Sequence, residues 1–309
     1  MDAEKKQIPD NQLSDKIYKA SLLNWNYIIL GILFLILGFL INLPIKEKIT
    51  DLIISKLGTN ESCPIFFERL DIGDYLETIN ISGPIISGAC LGRQGSLRFD
   101  KITASLSWPK LFPPGLQMNI KLTDDKSTIN LNPVISYPKI LVSINQTTLQ
   151  GAFLEKLIGG NIKLLGKFNI NSLMEMESGD LLEGDLTIVS NNFMIPRQTI
   201  SGFNTPLLLL RNFGIKGNIT EKNIIDFSSI IIGDKESMIF TQMNGKLRLN
   251  KAQFGESVME LSGKIRFSKN FITNFPILNL LLSGKTPGPD GLYNIKLQGP
   301  LSSLKPSIF

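Results

Sequence analysis

The segment Ala20–Ile45 contains no charged residue, and its centre, Tyr27–Ile41, is an almost unbroken run of large apolar side chains. A helix of about 20 apolar residues crosses a hydrocarbon core of ~30 Å. The run therefore predicts a single transmembrane anchor over residues 25–45, preceded by a short polar tail, residues 1–24. A cleaved signal peptide and a buried core helix are the alternatives, but no Ala-x-Ala-like cleavage site follows the run. No other segment reaches spanning length, which predicts a single-pass protein.

The only two cysteines, Cys63 and Cys90, both follow the predicted anchor. Two cysteines on one side of a membrane suit a single disulfide in an oxidising compartment, and two buried reduced thiols are the alternative interpretation. Lysines flank the anchor on both sides, so the positive-inside count does not discriminate between the two orientations. The cysteines alone favour an extracytoplasmic location for the rest of the chain.

The composition excludes several classes of function. The chain has 43% hydrophobic and 19% charged residues and a net charge of +5, as expected of a globular protein. It contains no histidine, which excludes a Ser-His-Asp triad, a Cys-His nucleophile and the usual zinc sites. No phosphate loop, dinucleotide fingerprint or nucleophile elbow is present. The basic residues are dispersed, which argues against nucleic-acid binding. We therefore expect a protein that binds rather than catalyses and that uses no cofactor.

The pattern of apolar residues changes after the predicted anchor. Residues 46–58 place Ile49, Leu52, Ile53 and Leu57 at helical spacing, which predicts a short juxtamembrane helix that ends at Gly58. From residue 59 to 309 the apolar residues alternate with polar ones, and glycine, asparagine and proline are frequent. This pattern is typical of many short strands joined by turns.

A module of the form apolar-x-Gly-polar-apolar-x-apolar recurs in this β-rich domain. Its strongest copies are Leu164–Ile170, Met243–Leu249 and Leu261–Phe267. Side chains alternate along a strand, so the first, fifth and seventh positions share one apolar face with the glycine. The missing side chain there permits a bend, a bulge or the close approach of a neighbouring layer. The predicted fold is mainly β: a single transmembrane helix, then an elongated, twisted antiparallel sheet with a few short helices.

The predicted apolar face supplies the candidate contact residues for a partner protein or a lipid. They are Phe168, Leu247, Leu249, Ile265 and Phe267. Two leucine-rich segments, 200–213 and 271–282, interrupt the strand pattern. Pro206 and Pro276 each suit the first turn of a short helix, which would pack in the core or form an exposed lip.

Two segments carry a resemblance to a known family. They are Ser82–Cys90, with Gly83, Pro84 and Gly88, and Gly291–Leu301, with Gly291, Tyr293 and Gly299. Together with Cys63-Pro64 and the single anchor, they resemble the type II secretion system protein N family over nearly the whole chain. The glycine-marked strands and the closing Leu297–Pro306 also look like AsmA-like envelope proteins that form lipid-facing β-grooves.

The first resemblance implies an accessory subunit in the cell inner membrane, with residues 1–24 in the cytoplasm and the β domain in the periplasm. Such a subunit would act in protein secretion as a scaffold that binds other secretion subunits, by strand addition or by burial of the apolar face. The second resemblance implies an apolar groove that binds or transfers lipid. Both functions are expectations at this point.

Overall fold

The computed structural model describes residues 31–32, 45–58, 64–73, 77–87, 96–107, 110–111, 114–158, 162–200, 203–251, 253–275, 278, 280 and 282–309. The chain divides into two compact units, residues 1–51 and residues 52–309. The predicted tail and most of the predicted anchor lie outside the described residues, as do Cys63, Cys90 and Gly88. The disulfide prediction therefore stays a prediction.

Most of the described chain consists of β-strands. In chain order they are β1 (Ile65–Phe66), β2 (Arg69–Ile72), β3 (Thr78–Ser82), β4 (Ile85–Ser87), β5 (Ser96–Arg98), β6 (Lys101–Leu106), β7 (Lys110–Leu111), β8 (Pro114–Asp124), β9 (Ser127–Ser136), β10 (Lys139–Gln150), β11 (Lys167–Glu177), β12 (Asp180–Ile195), β13 (Gln198–Ile200), β14 (Phe203–Thr205), β15 (Leu208–Glu221), β16 (Ile224–Ile232), β17 (Ile239–Arg248), β18 (Val258–Phe267), β19 (Tyr293–Pro300) and β20 (Lys305–Ile308).

Helices are few and short among the described residues. The α-helices are α1 (Ile45–Gly58), α2 (Gly151–Ile158) and α3 (Lys269–Asn274), and the 3-10 helices are η1 (Phe254–Glu256) and η2 (Leu301–Ser303). Helix α1 covers the segment in which apolar spacing predicts a juxtamembrane helix. Across the described part of the chain, no helix combines the length and apolar character needed to cross a membrane.

One large antiparallel sheet dominates the fold. Its strand order is β2-β3-β6-β8-β9-β10-β11-β12-β15-β16-β17-β18-β19-β20, with β7 paired to β8 at the side. Neighbours in this order are mostly consecutive in the chain, because short turns join them as hairpins. Polar residues and glycine with positive φ make two of these turns, Asp125–Lys126 and Ser178–Gly179. The prediction of a mainly β, antiparallel fold with few helices is confirmed.

The two ends of the large sheet differ in whether helices or tight turns follow the strands. Helix α2 follows β10 and helix α3 follows β18 at one end, which we call the helix end. Phe153 of α2 and Phe271 of α3 pack there in one core cluster with Leu149, Phe168 and Leu210 of the large sheet. The opposite end, with the turns Tyr137–Pro138, Ser178–Gly179 and Lys222–Asn223, is called the turn end.

A small three-stranded sheet, of order β1-β4-β5, contributes to the same core. Leu97 of β5 and the adjacent Phe99 are buried in the cluster, and the ring of Phe99 lies 5.7 Å from that of Phe153. The chain passes from the large sheet into this small sheet at Gly83 and Pro84, between β3 and β4. The small sheet thus packs at the helix end.

The helix predicted after Pro206 is wrong. The residues that follow form β15, in which Leu208 and Leu210 are buried and Leu209 between them is exposed. Pairing of β15 with β12, including Ile195 with Leu208, places this alternation in the large sheet. Tertiary pairing therefore decides between helix and strand for a leucine run that has no clear period of its own. In the second segment, α3 lies before Pro276, and Pro276 itself lies outside the described residues.

Candidate functional site

The large sheet has one apolar face, which we call the inner face. Register partners share a face, so the face can be followed across the strands from the pairing alone. In β6 and β8–β11, excluding the helix end, its residues are Ile102, Ala104, Leu106, Leu116, Met118, Ile120, Leu122, Ile129, Leu131, Pro133, Ile135, Ile140, Val142, Ile144, Ile170, Ser172, Met174 and Met176. None of these side chains is charged. We call this set the open section.

Most side chains of the open section are half-buried, and several are exposed. Leu122, Ile129 and Ile170, at its border with the helix end, pack against the first core cluster. Leu106, Leu116, Ile135 and Ile140, which lie nearest the turn end, expose 51%, 39%, 40% and 36% of their surface. A monomeric protein seldom leaves so large a contiguous apolar surface without a function. The open section is therefore the candidate binding surface.

The side chains of the open section offer a ligand no free hydrogen-bonding group. Backbone groups of its strands are used in the antiparallel ladders, except where the ladders are interrupted after Ile144 and between Met118 and Pro133. Its one hydroxyl, Ser172 Oγ, is buried and donates a hydrogen bond to the carbonyl of Asp185 at 2.6 Å. At the helix end of the same face, the hydroxyl of Thr147 accepts from the Asn130 amide at 2.9 Å. The surface therefore suits an apolar ligand that needs no hydrogen bonds.

The outer face of the same strands is polar. Along β11 the exposed Asn169 and Asn171 alternate with the inner-face residues, and Glu175 of this face forms an ion pair with Lys139. Leu173 is an apolar residue on this otherwise polar face, and 43% of its surface is exposed. The contrast between the faces follows directly from the period-two alternation of the sequence.

In the C-terminal strands the inner face is packed rather than open. A second core cluster joins Phe227, Ile230, Met243, Leu247, Leu261, Ile265 and Ile295 from strands β16–β19. These side chains are buried against one another and against Leu301 of η2 and Ile308 of β20. This part of the face is a core, in contrast to the open section.

All five predicted contact residues lie on the inner face or its edge, but within or against the packed clusters. Phe168, Leu247 and Ile265 expose only 1%, 6% and 9% of their surface, and Leu249 and Phe267 are half-buried. Phe168 belongs to the first cluster, whereas Leu247 and Ile265 belong to the second. Phe267 packs against both clusters, so it links Phe168 of the first cluster to Leu247 and Ile265 of the second.

Two glycines of the repeated module explain how β17 and β18 approach each other. Gly263 pairs with Met243, and a Cβ atom on Gly263 would lie 2.1 Å from the carbonyl oxygen of Gln242. Gly245 has a φ of 145°, and its Cβ would lie 2.1 Å from the carbonyl oxygen of Glu260. The missing side chains thus permit close approach of the neighbouring strand in the same sheet, whereas the sequence predicted close approach of another layer.

The first resemblance-carrying segment makes the crossover between the two sheets. Gly83 has a φ of 58°, and its amide donates to the carbonyl of Asp100 at 2.9 Å. Pro84 is fully buried, and its carbonyl accepts from the Phe99 amide at 2.9 Å. These residues thus have a structural role in joining β3 to β4, and Gly88 lies outside the described residues.

The second segment forms a turn and the strand β19. Gly291, with a φ of 71°, donates its amide to the carbonyl of Gly288 at 2.9 Å. Tyr293 is half-buried, pairs with Ile265 and packs against both core clusters. Gly299 has a φ of 126° and pairs with Met259 near the end of β19. None of these residues belongs to the open section.

A buried carboxylate ties several hairpins together at the turn end. Asp180 accepts hydrogen bonds from Lys222 Nζ at 2.7 Å and Asn223 Nδ2 at 2.6 Å, and Lys251 is its third partner. Hydrogen bonds from Lys222, Lys251 and Asn223 hold the pKa of Asp180 well below the usual range of a carboxyl group. The cluster is a structural clasp, because its members come from three different turns.

A polar cleft of about 410 Å³ lies on the outer face of β17 and β18. Gln242, Asn244, Lys264 and Asp290 line it, and Lys264 Nζ lies 2.5 Å from Asp290 Oδ2. The hydrogen bond from Lys264 lowers the pKa of Asp290. Because Lys264 and Asp290 pair with each other, these lining residues leave no unpaired charge to recognise a ligand.

Sequence reasoning from the glycine module did not find the open section. Its strands β8 to β10 lack a copy of the module, although Leu116–Leu122 and Ile129–Ile135 alternate apolar and other residues with period two. That alternation was a sufficient signal for the face. It contains no information on which part of the face other side chains would cover.

Comparison with known proteins found no match to this chain among protein-family models, curated proteins or solved structures.

Proposed function

We propose that this protein binds the acyl chains of lipids on the open section of its inner face. The observation that carries the proposal is the uncharged, half-buried to exposed surface that runs across β6 and β8–β11. Each methylene transferred from water to such a surface contributes about 0.8 kcal/mol, so a chain with ten methylenes in contact would gain on the order of 8 kcal/mol before the entropic cost of ordering it.

The chemistry of the open section fits an alkyl chain better than a peptide. A peptide bound there would bury its own amide groups against side chains that offer no unused donor or acceptor, at a cost of about 1–3 kcal/mol for each unpaired group. An alkyl chain has no such groups. Met118, Met174 and Met176 add flexible, unbranched side chains that can adapt to chains of different shape.

The proposed cellular setting follows from the sequence. The apolar run at residues 25–45 would anchor the chain in the inner membrane in a single pass, and the β domain would lie in the periplasm. The resemblance to AsmA-like β-groove proteins supports the same function. The prediction that the protein is not an enzyme stands unchanged as part of this proposal.

Adjacent residues of β11 provide a matched test. Met174 faces the open section, whereas Leu173 is 43% exposed on the outer face. The photoreactive amino acid p-benzoylphenylalanine would replace each residue in the full-length chain, expressed in a bacterial membrane and irradiated. Mass spectrometry would then identify the adducts.

We expect lipid adducts from position 174 and none above background from position 173. Equal labelling at the two positions would contradict the proposal, because a nonspecific lipid environment does not distinguish the faces. Protein adducts at position 174 without lipid adducts would contradict lipid binding and would indicate that a partner protein binds the same face.

A scaffold role in type II secretion is the second candidate, and a separate observation favours it. Leu165, which precedes β11, pairs with Met194 of β12, and Met194 pairs with Leu209 of β15. In this row Leu165 and Leu209 are 46% and 45% exposed. A partner protein could cover this row. Strand addition has less support, because the edge strands β2 and β20 have only four residues each and β20 contains Pro306.

This second candidate has its own test. The variant Leu209→Asp would be compared with wild-type protein in co-purification from cells that express the secretion machinery. Loss of inner-membrane secretion subunits from the variant would support the scaffold role, and an unchanged set of co-purified proteins would count against this row as the contact.

A further inference from the structure

The apolar row Leu165, Met194 and Leu209, which we call the outer row, lies on the outer face at the helix end. Leu165 bridges to Met194, and Met194 pairs with Leu209, so the three side chains share a face. Each of them has a chain neighbour in the first core cluster on the opposite face, namely Leu164, Phe193 and Leu208. The alternation therefore leaves the outer row directed away from the core.

The chain segments that carry the outer row are basic. Residues 156–174 and 186–220 contain no aspartate or glutamate. Their cationic residues are Lys156, Lys163, Lys167, Arg197, Arg211 and Lys216. Lys156 and Arg211 have carboxylate partners, whereas the part of the chain that the structure describes contains no ion pair for the other four. These segments therefore carry positive charge that the protein itself does not neutralise.

Three of the cations without an ion pair lie close to the outer row. Lys163 and Lys167 are each two residues from Leu165, and Arg197 is three residues from Met194. An extended chain spans at most about 3.6 Å per residue, so the Cα atoms of the lysines lie within about 7 Å of that of Leu165, and that of Arg197 within about 11 Å of that of Met194. All three side chains are exposed. Because charges act over about 10 Å at an ionic strength of about 0.1 M, these cations act on any molecule that covers the outer row.

Neutral amide side chains hold the backbone on both sides of Leu165. The Lys163 amide donates to Gln198 Oε1 at 2.7 Å, and Gln198 Nε2 donates to the Lys163 carbonyl at 2.9 Å. The Lys167 amide donates to Asn192 Oδ1 at 2.9 Å. Because amides rather than carboxylates make these hydrogen bonds, the backbone is fixed without neutralising either lysine. This segment is therefore preorganised to meet an acidic group.

The exposure of the outer row favours a protein surface over a bilayer as its occupant. Leu165 and Leu209 expose less than half of their surface, and Met194 is half-buried. An interfacial membrane anchor inserts its apolar side chains about 5–10 Å into the headgroup region. Side chains that lie among paired strands do not project in this way, but they fit a partner surface that packs against them.

We propose that the outer row binds a partner protein whose apolar contact surface is flanked by aspartate or glutamate side chains. The inference rests on the scaffold candidate of the proposed function, because it assigns the chemistry of the partner that covers this row. Carboxylates opposite Lys163, Lys167 and Arg197 would steer the encounter and disfavour basic partners. An apolar centre with a charged rim is the common arrangement of a protein interface.

Photo-crosslinking of the full-length chain, in cells that express the secretion machinery, tests the proposal. p-Benzoylphenylalanine would replace Leu165, alone or together with Lys167→Glu, and mass spectrometry would identify the crosslinked peptide. Lys121→Glu is the matched control, because Lys121 is an exposed lysine on the outer face of β8. We expect a crosslink to a protein segment that contains apolar and acidic residues. Its yield should fall severalfold with Lys167→Glu and stay unchanged with Lys121→Glu.

A charge exchange checks that Lys167→Glu acts through the partner rather than through the fold. The acidic residues of the crosslinked peptide would be replaced by lysine in the partner. We expect this change to lower the yield with wild-type Lys167 and to restore it with Lys167→Glu. A yield that stays low in the exchanged pair would overturn the proposal.

The outcomes separate this inference from the scaffold candidate. A protein crosslink whose yield Lys167→Glu leaves unchanged, or a crosslinked segment without carboxylates, would overturn the acidic partner and leave the scaffold role intact. Crosslinks to lipid alone, or no crosslink at all, would overturn both. Equal losses with Lys167→Glu and Lys121→Glu would also overturn the acidic partner, because the effect would then come from net charge rather than from the outer row.

Discussion

The rings of Phe168 and Phe213 meet edge to face with their centroids 5.4 Å apart, although strand β12 lies between their strands, β11 and β15. The ring of Phe193 lies 5.5 Å from Phe168 and 5.4 Å from Phe213, which completes a three-ring cluster. The cluster lies at the helix end, next to the open section. Along β11, the inner face is therefore buried in a core at the helix end and is accessible toward the turn end.

Truncation of Phe168 tests the importance of this cluster for stability. Because Phe168 is only 1% exposed, we expect Phe168→Ala to lower the free energy of unfolding by about 3–5 kcal/mol through lost burial and a residual cavity. Leu173→Ala, on the outer face of the same strand, should change it by about 0.5 kcal/mol or less. Urea denaturation of both variants measures the difference. Similar losses in the two variants would contradict the assignment of faces.

The close approach of β17 and β18 predicts an unusual intolerance of alanine. In Gly263→Ala the new Cβ would lie 2.1 Å from the Gln242 carbonyl oxygen, so the strands must separate. We expect a loss of about 1–3 kcal/mol in stability. At Gly214 of β15 a Cβ would meet nothing within 4 Å, and Gly214→Ala should be neutral or stabilise by up to about 1 kcal/mol. Thermal unfolding of both variants measures the two changes in stability. Equal changes would contradict the close approach of β17 and β18 at Gly263.

The Asp180 clasp predicts a pH dependence of stability. Hydrogen bonds from Lys222, Lys251 and Asn223 lower the pKa of this carboxyl group in the folded state. Its stabilising contribution is therefore present above its unfolded pKa of about 4 and is lost as the pH falls through the lower folded value. In Asp180→Asn the unfolding temperature should fall at about pH 7, and the difference from wild type should shrink below about pH 3. A difference that does not vary with pH would contradict this account.

A charge on the open section should prevent lipid binding without unfolding the sheet. Val142 faces the open section and is half-buried, whereas the adjacent Leu141 faces outward. A carboxylate at position 142 would lose solvation beside an alkyl chain. We expect Val142→Asp to reduce the lipid that co-purifies with the full-length chain severalfold, and Leu141→Asp to leave it near the wild-type amount. Far-UV circular dichroism would show whether both variants retain the strands.

Much of the secondary structure was predictable because it depends on local patterns. Period-two alternation and turn residues predict the strands, and the spacing of Ile49, Leu52, Ile53 and Leu57 predicts helix α1. The segment after Pro206 was predicted as a helix and is strand β15, because a run of leucines has no period that distinguishes the two. Only the pairing of Leu208 with Ile195 decides that segment.

The candidate site was predictable only in part. Leu247 and Ile135 are both large apolar residues on the inner face, and nothing in their local sequences predicts which of the two is covered. Leu247 is 6% exposed because the C-terminal strands and η2 pack around it, whereas Ile135 is 40% exposed because the described chain leaves its part of the face uncovered. Exposure depends on which distant segments fold over a residue, and a local pattern contains no such information.

The sequence by itself determined two local properties. The chain carries an uncharged run at residues 20–45, and the strands that follow it have one apolar and one polar face. Tertiary structure alone decided the order of the strands, the use of Gly263 for close approach, and the division of one apolar face into a packed core and an open section. The physical reason is that burial and strand pairing join residues far apart in the chain, and their free energy depends on the whole packed arrangement.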